Sequence, residues 1–111
     1  MKKFMVVTLC GSVRTGKQLW DAITQRWTLE GLIVLKVDVW EDGTNIYKRC
    51  HEGDLQETKK MLDEMHKRKI ELSDFIYVIN KNGYIGNSTK SEIKYAKKLK
   101  KPVLYLEEPK Q

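Results

Sequence analysis

The stretch Phe75-Ile76-Tyr77-Val78-Ile79-Asn80-Lys81-Asn82-Gly83-Tyr84-Ile85-Gly86-Asn87-Ser88-Thr89-Lys90-Ser91-Glu92 decides the fold. Its first five residues form a solid apolar run, as expected of a buried strand. Two glycines and several short polar residues follow, and a helical stretch begins near Ser88. A buried strand handing over to a helix is the unit of an open parallel sheet, and such sheets bind ligands at that handover. Glu92 stands just past it, as either a reactive carboxylate or a helix cap.

The flanking segments repeat the pattern. Phe4 to Cys10 is a near-continuous apolar run bounded by Gly11, again a strand covered on both faces. Thr15 and Gln18 have capping-box spacing, and Leu19, Trp20, Ile23 and Trp27 recur at helical intervals, so a helix is expected from Thr15 to Glu30, ended by Gly31. Ile33 to Trp40 follows as a strand whose alternating Lys36 and Asp38 suggest a half-exposed edge. After a polar loop from Glu41 to Gly53, Asp54 and Glu57 repeat the capping signature. The long helix they open carries Leu55, Leu62, Met65 and Ile70 toward Leu72. Beyond Glu92, Ile93, Ala96 and Leu99 share one stripe, Pro102 ends the helix, and Val103 to Leu106 forms a fourth strand ahead of a frayed tail. Four strands alternating with three helices predict a single α/β domain over residues 1–111 with a parallel sheet, the simplest strand order being 2-1-3-4. That order brings the loops after the first and third strands to one crevice.

The 111 residues carry 21 Lys and Arg against 15 Asp and Glu, a formal charge of +6. Much of the excess falls on Lys59, Lys60, Lys67, Arg68 and Lys69 and on Lys90, Lys94, Lys97, Lys98, Lys100, Lys101 and Lys110. Most of these lie on expected helices without interleaved aromatic residues, which reads as solvated outer faces rather than a nucleic-acid groove. A bias toward anionic small molecules remains. No run approaches the roughly 18 apolar residues needed to cross a bilayer. Met1-Lys2-Lys3 precedes only a short strand with no cleavage site, so neither a membrane nor a signal peptide is expected. Cys10 and Cys50 form no CxxC pair and no metal-ligand pattern, and read as reduced thiols of a cytoplasmic protein, Cys10 buried.

Gly11-Ser12-Val13-Arg14-Thr15-Gly16-Lys17-Gln18 fits GxxxxGK between a strand and a helix. A Walker loop needs Ser or Thr after the lysine to hold magnesium, and Gln18 supplies no such hydroxyl. What survives is an anion cradle of glycine, a serine hydroxyl, an arginine and helix-start amides, with an ordinary tight turn as the alternative. Glu92, expected in the first turn of its helix, is chemically suited to attack a sugar C1 carbon through an oxocarbenium-like transition state. Thr89-Lys90-Ser91-Glu92 is itself a capping box, and the residues alone favour the cap over the reactive carboxylate. His66 falls on the long second helix, where Asp63, one turn earlier, is placed to hold its ring. His51 sits in the polar loop without an evident partner.

Cys10-Gly11-Ser12-Val13-Arg14 after the first strand, Ser73-Asp74 opening the third, and Gly83-Tyr84-Ile85-Gly86 leading to Ser91-Glu92-Ile93-Lys94-Tyr95-Ala96 resemble the nucleoside 2-deoxyribosyltransferase superfamily. The branch they look most like is the 2'-deoxynucleoside 5'-monophosphate N-glycosidases, and the likeness runs from Phe4 to about Leu106. It implies a flavodoxin-like, Rossmann-like three-layer sandwich, a homo-oligomer with sites near subunit contacts, a nucleoside or nucleotide substrate, and no metal or organic cofactor. By position Glu92 matches the family's nucleophile, Gly11, Ser12 and Arg14 match the loop against the nucleotide's 5' phosphate, and Ser88 is a second phosphate contact. Two positions depart from the pattern. Eight residues before Asp74 the family has an aspartate where this chain has His66, and two residues before Cys10 it has a tyrosine where this chain has Thr8. The expected function is cleavage or transfer of a deoxynucleoside N-glycosidic bond by Glu92, with His66 and Thr8 as the remaining catalytic candidates. The alternative is a module that binds a nucleotide or nucleotide-derived signal without turnover.

Overall fold

A computed structural model of the chain describes residues 3–37 and 55–109. Strand β1 (Val6–Gly11) leads through a single 3-10 turn at Val13–Thr15 into helix α1 (Lys17–Leu29), and β2 (Ile33–Leu35) follows. Helix α2 (Leu55–Leu72), β3 (Phe75–Ile79), a second 3-10 turn at Lys81–Gly83, α3 (Asn87–Lys98) and β4 (Val103–Tyr105) complete the order. All pairings are parallel, and the sheet runs β2-β1-β3-β4. The expected fold class and strand order are thus observed, in a sheet consistent with a flavodoxin-like three-layer sandwich.

The layers follow from side-chain alternation along the central strands. Val7 and Leu9 of β1, with Phe75, Tyr77 and Ile79 of β3, face Trp20 and Ile23 of α1. Cys10, Ile76 and Val78 point the other way, onto Ile70 of α2 and Ile93 and Ala96 of α3. Helices on both faces leave the two central strands almost without polar side chains, as a parallel sheet requires. Trp27 completes the α1 layer by packing edge-on against Phe75 and Tyr77, with ring centroids 5.6 and 5.2 Å apart.

Several boundaries differ from the sequence reading. Strand β1 begins at Val6, leaving Phe4 and Met5 exposed. The expected helix start at Thr15 is a 3-10 turn; α1 begins at Lys17 with Gly16 as its N-cap and no side-chain cap bond. Thr15 instead gives its hydroxyl proton to the Ser12 carbonyl, so the capping box with Gln18 is not made. Strand β2 is an edge strand as expected, but it covers only Ile33–Leu35, and the remainder of the segment expected to reach Trp40 passes outside the described residues after Val37. The loop from Glu41 to Gly53, with Cys50, His51 and the cap at Asp54, also lies outside them. On α2 the buried stripe is Thr58, His66 and Ile70 with Leu62 half-buried, while Met65 is 44% exposed. Four-residue spacing carries His66, not Met65, into the interior. The lysines of α3 at positions 90, 94, 97 and 98 are all exposed, the solvated face that their spacing predicted. Among the described residues no helix is long and apolar enough to cross a membrane.

Candidate functional site

The carboxyl ends of β1 and β3 lie side by side, with Gly11 opposite Ile79 and Cys10 opposite Val78. The approach is close. A Cβ on Gly11, whose φ is +155°, would stand 2.9 Å from the Ile79 carbonyl oxygen and 3.4 Å from the Trp20 ring. Glycine is therefore the residue that lets the first loop leave the sheet here. The two loops expected to converge do adjoin.

One turn of each neighbouring helix supplies the chemistry. Cys10 is fully buried near the end of β1, and α2 lays His66 against it, with Sγ and Nε2 3.4 Å apart. From α3, Glu92 brings Oε1 to 3.6 Å from the same Nε2. Its side chain keeps 16% of its surface exposed, against 6% for His66. Three groups from three elements thus meet at the carboxyl end of the sheet.

This placement removes the cap reading of Glu92. Helix α3 starts at Asn87 with Gly86 as N-cap, makes no side-chain cap bond and has no acidic residue in its first turn. Thr89 is buried inside the helix, so the expected Thr89–Glu92 capping box is absent. Glu92 belongs to the second turn and follows Thr89 by three residues, on the side that also buries Ile93 and Ala96. The helix field is therefore not what sets its charge. Burial is the largest influence and pushes the carboxyl up to about 7; the Cys10 S–H bond and Lys67 oppose the rise, while Asp63 adds to it. His66 is pushed down to about 4, first by burial and then by the Lys69 charge. The Cys10 thiol is raised well above its ordinary value by burial, by the Glu92 charge and by its bond to Glu92. Near neutrality the cluster is a thiol, a neutral imidazole and a carboxyl poised to ionise.

No protein-family model matches this chain, and no curated protein matches it in sequence.

The other candidates occupy distinct places. Thr8 is fully buried on the same face of β1 as Cys10, and its hydroxyl donates to the Lys69 carbonyl at 3.0 Å. That bond ties β1 to α2, so Thr8→Val is expected to lower stability by about 1 kcal/mol, read from urea midpoints. Ser12 receives the Arg14 amide on its Oγ at 3.1 Å, and its carbonyl accepts from Thr15 and from the Trp20 indole. Arg14 is exposed, with no ion pair among the described residues, and Ser88 is exposed in the first turn of α3. Both helices that point at the crevice begin with a glycine cap and no side-chain acceptor, leaving first-turn amides open toward it. Lys17 is exposed and pairs with Asp21 on α1 at 2.8 Å. Asp63 is exposed, and the His66 Nδ1 has no partner among the described residues, so Asp63 does not hold that ring.

Cys10 is the member that the sequence did not single out as a site residue. Nothing in the spacing of residues 10, 66 and 92 marks them as neighbours; only the alternation of β1 with the helix stripes does.

The raised Glu92 value has a consequence for stability. A carboxyl that holds its proton more tightly when folded stabilises the chain below its ordinary value near 4.5, and that contribution is lost as pH rises through about 7. Glu92→Gln removes the titration. The variant is expected to gain about 3 kcal/mol on the parent between pH 4.5 and 7, measured by urea unfolding at each pH. Parallel stability curves would contradict the burial of this group.

Proposed function

We propose that the chain breaks or exchanges the N-glycosidic bond of a deoxynucleoside or its 5'-monophosphate, with Glu92 as nucleophile. The observation that carries this reading is the Glu92 carboxyl itself. It is unspent as a cap, largely desolvated, and lies 3.6 Å from the His66 imidazole at the carboxyl end of the sheet. The sequence resemblance to deoxyribosyltransferases points to the same residue. A Glu92 oxygen attacks C1', the bond from C1' to the base nitrogen breaks, and the electron pair leaves with the base, which takes a proton from solvent. Water or a second base then attacks C1' of the glycosyl ester and restores the carboxylate.

In this scheme His66, neutral near pH 7, is a positioning residue that fixes the carboxylate from one side while Cys10 donates its S–H from the other. Arg14, Ser12, Ser88 and the open amides of α1 and α3 hold the 5' phosphate. Thr8 acts only through the β1–α2 packing. The reading carries with it a cytoplasmic homo-oligomer acting on a small molecule without an organic cofactor. Incubating the protein with each of the four deoxynucleoside monophosphates and following free base tests it. Because attack needs the ionised carboxylate, the rate is expected to rise with pH up to a plateau above about 7. A rate independent of pH between 5.5 and 8 (about the range over which Glu92 titrates) would count against Glu92 as the attacking group.

A second reading is a nucleotide-binding module without turnover. The engaged Thr8 hydroxyl and the neutral His66 favour it, since neither supplies a strong acid to the leaving base. It predicts stabilisation of about 3 kcal/mol at 100-fold saturation, with no base released.

A further inference from the structure

We propose that Cys10, His66 and Glu92 form a binding site for a soft divalent cation, Zn2+ in particular, with a fourth position open to water. The site goes beyond the glycoside reading and does not rest on it. The three side chains offer a sulfur, an imidazole nitrogen and a carboxylate oxygen, all within 4.8 Å of one another. A tetrahedral zinc ion with Zn–S of about 2.3 Å and Zn–N of about 2.0 Å has ligand atoms some 3.5 Å apart along that edge. The observed separation of Cys10 Sγ and His66 Nε2 is 3.4 Å. The nitrogen-to-oxygen edge, about 3.4 Å in such a site, corresponds to the 3.6 Å between His66 Nε2 and Glu92 Oε1. Two of the three edges already stand at coordination spacing, and the third, between the Cys10 sulfur and the Glu92 carboxylate, lies within 4.8 Å.

The surroundings agree with the donor set. Each ligand comes from a different rigid element, β1, α2 and α3, whose apolar faces pack on one another around Ile70, Val78, Ile93 and Ala96. Thiolate with imidazole selects zinc over magnesium or calcium, and three protein ligands with one open position is the pattern of sites that exchange a fourth ligand. Glu92, the most exposed of the three, marks the route of entry. Binding through Nε2 puts the ring proton on Nδ1, which has no partner among the described residues in either tautomer, so the metal displaces no hydrogen bond there. The Cys10 proton, and that of Glu92 where present, passes to solvent as the metal–ligand bonds form, with no change of oxidation state.

Occupancy and nucleophilic attack are exclusive uses of Glu92, so zinc is expected to inhibit base release where that activity exists. The test itself needs no substrate. Tag-free, chelator-stripped protein is titrated with Zn2+ against a chromophoric chelator, and with Co2+ while the absorption spectrum is recorded. One equivalent is expected to bind with a dissociation constant of about 1 µM or tighter, with a thiolate-to-cobalt charge-transfer band. Cys10→Ser is expected to abolish the band and weaken zinc tenfold or more, and Glu92→Gln to weaken it by a similar factor while keeping the band. Cys50→Ser, which leaves Cys10 as the sole thiol, is expected to keep both. No saturation by about 100 µM metal, a band that survives Cys10→Ser, or one lost in Cys50→Ser would overturn the assignment.

Discussion

Glu92→Ala is expected to reduce base release from a deoxynucleoside monophosphate by about 10³-fold or more, with the protein still folded. Removing the attacking atom removes the covalent route, so no rearrangement of neighbours restores the rate. Glu92→Gln should fall as far, because an amide of nearly the same shape retains the packing but not the nucleophile. The two variants together separate chemistry from structure. Because the native carboxyl is held up to about 7 by burial, replacing it relieves desolvation, and neither variant should unfold more easily at neutral pH. Release of free base by Glu92→Ala at the parent rate would remove Glu92 from the reaction.

The largest stability effect is expected at Trp20. Its side chain is fully buried on the α1 face, and its indole Nε1 donates to the Thr15 hydroxyl at 3.0 Å and to the Ser12 carbonyl at 3.3 Å. Truncation to alanine leaves a large cavity against Val7, Leu9 and Ile79 and is expected to lower unfolding free energy by about 3–5 kcal/mol. Trp20→Phe keeps much of the apolar volume but loses both hydrogen bonds, with an expected loss of about 1–3 kcal/mol. This second variant matters for function, since those bonds hold the loop carrying Ser12 and Arg14. Its affinity for a 5'-monophosphate should fall more than its affinity for the unphosphorylated nucleoside. Urea unfolding and ligand titration read the two effects separately, and equal losses for both ligands would contradict the role given to the loop.

The parallel sheet was legible because the central strands are apolar on both faces and each is followed by a helical stripe. The order 2-1-3-4 followed from the shortest right-handed connections, and it placed the two loops together correctly. The two capping boxes fail for one physical reason. Thr15–Gln18 and Thr89–Glu92 have the spacing of capping boxes, yet each helix starts after a glycine instead, at Gly16 and Gly86. Side-chain capping is a local preference worth about 1 kcal/mol, and the packing of Trp20 on one side and Thr89 on the other outweighs it. The same substitution of tertiary for local forces brought Glu92 inward and Cys10 into its company. The burial that raises this carboxyl comes from packing between segments far apart along the chain, and no local pattern encodes it.

The proposed chemistry passes through a glycosyl ester on Glu92, which can be trapped. Protein mixed with a deoxynucleoside 5'-monophosphate, quenched in acid within the first turnover and digested with trypsin, yields the peptide Ser91-Glu92-Ile93-Lys94. This peptide is expected to carry the mass of deoxyribose 5-phosphate in native protein, and the adduct to be absent from Glu92→Gln. Base released with the sugar found on another residue, or with no base released and the peptide unmodified throughout, would contradict it.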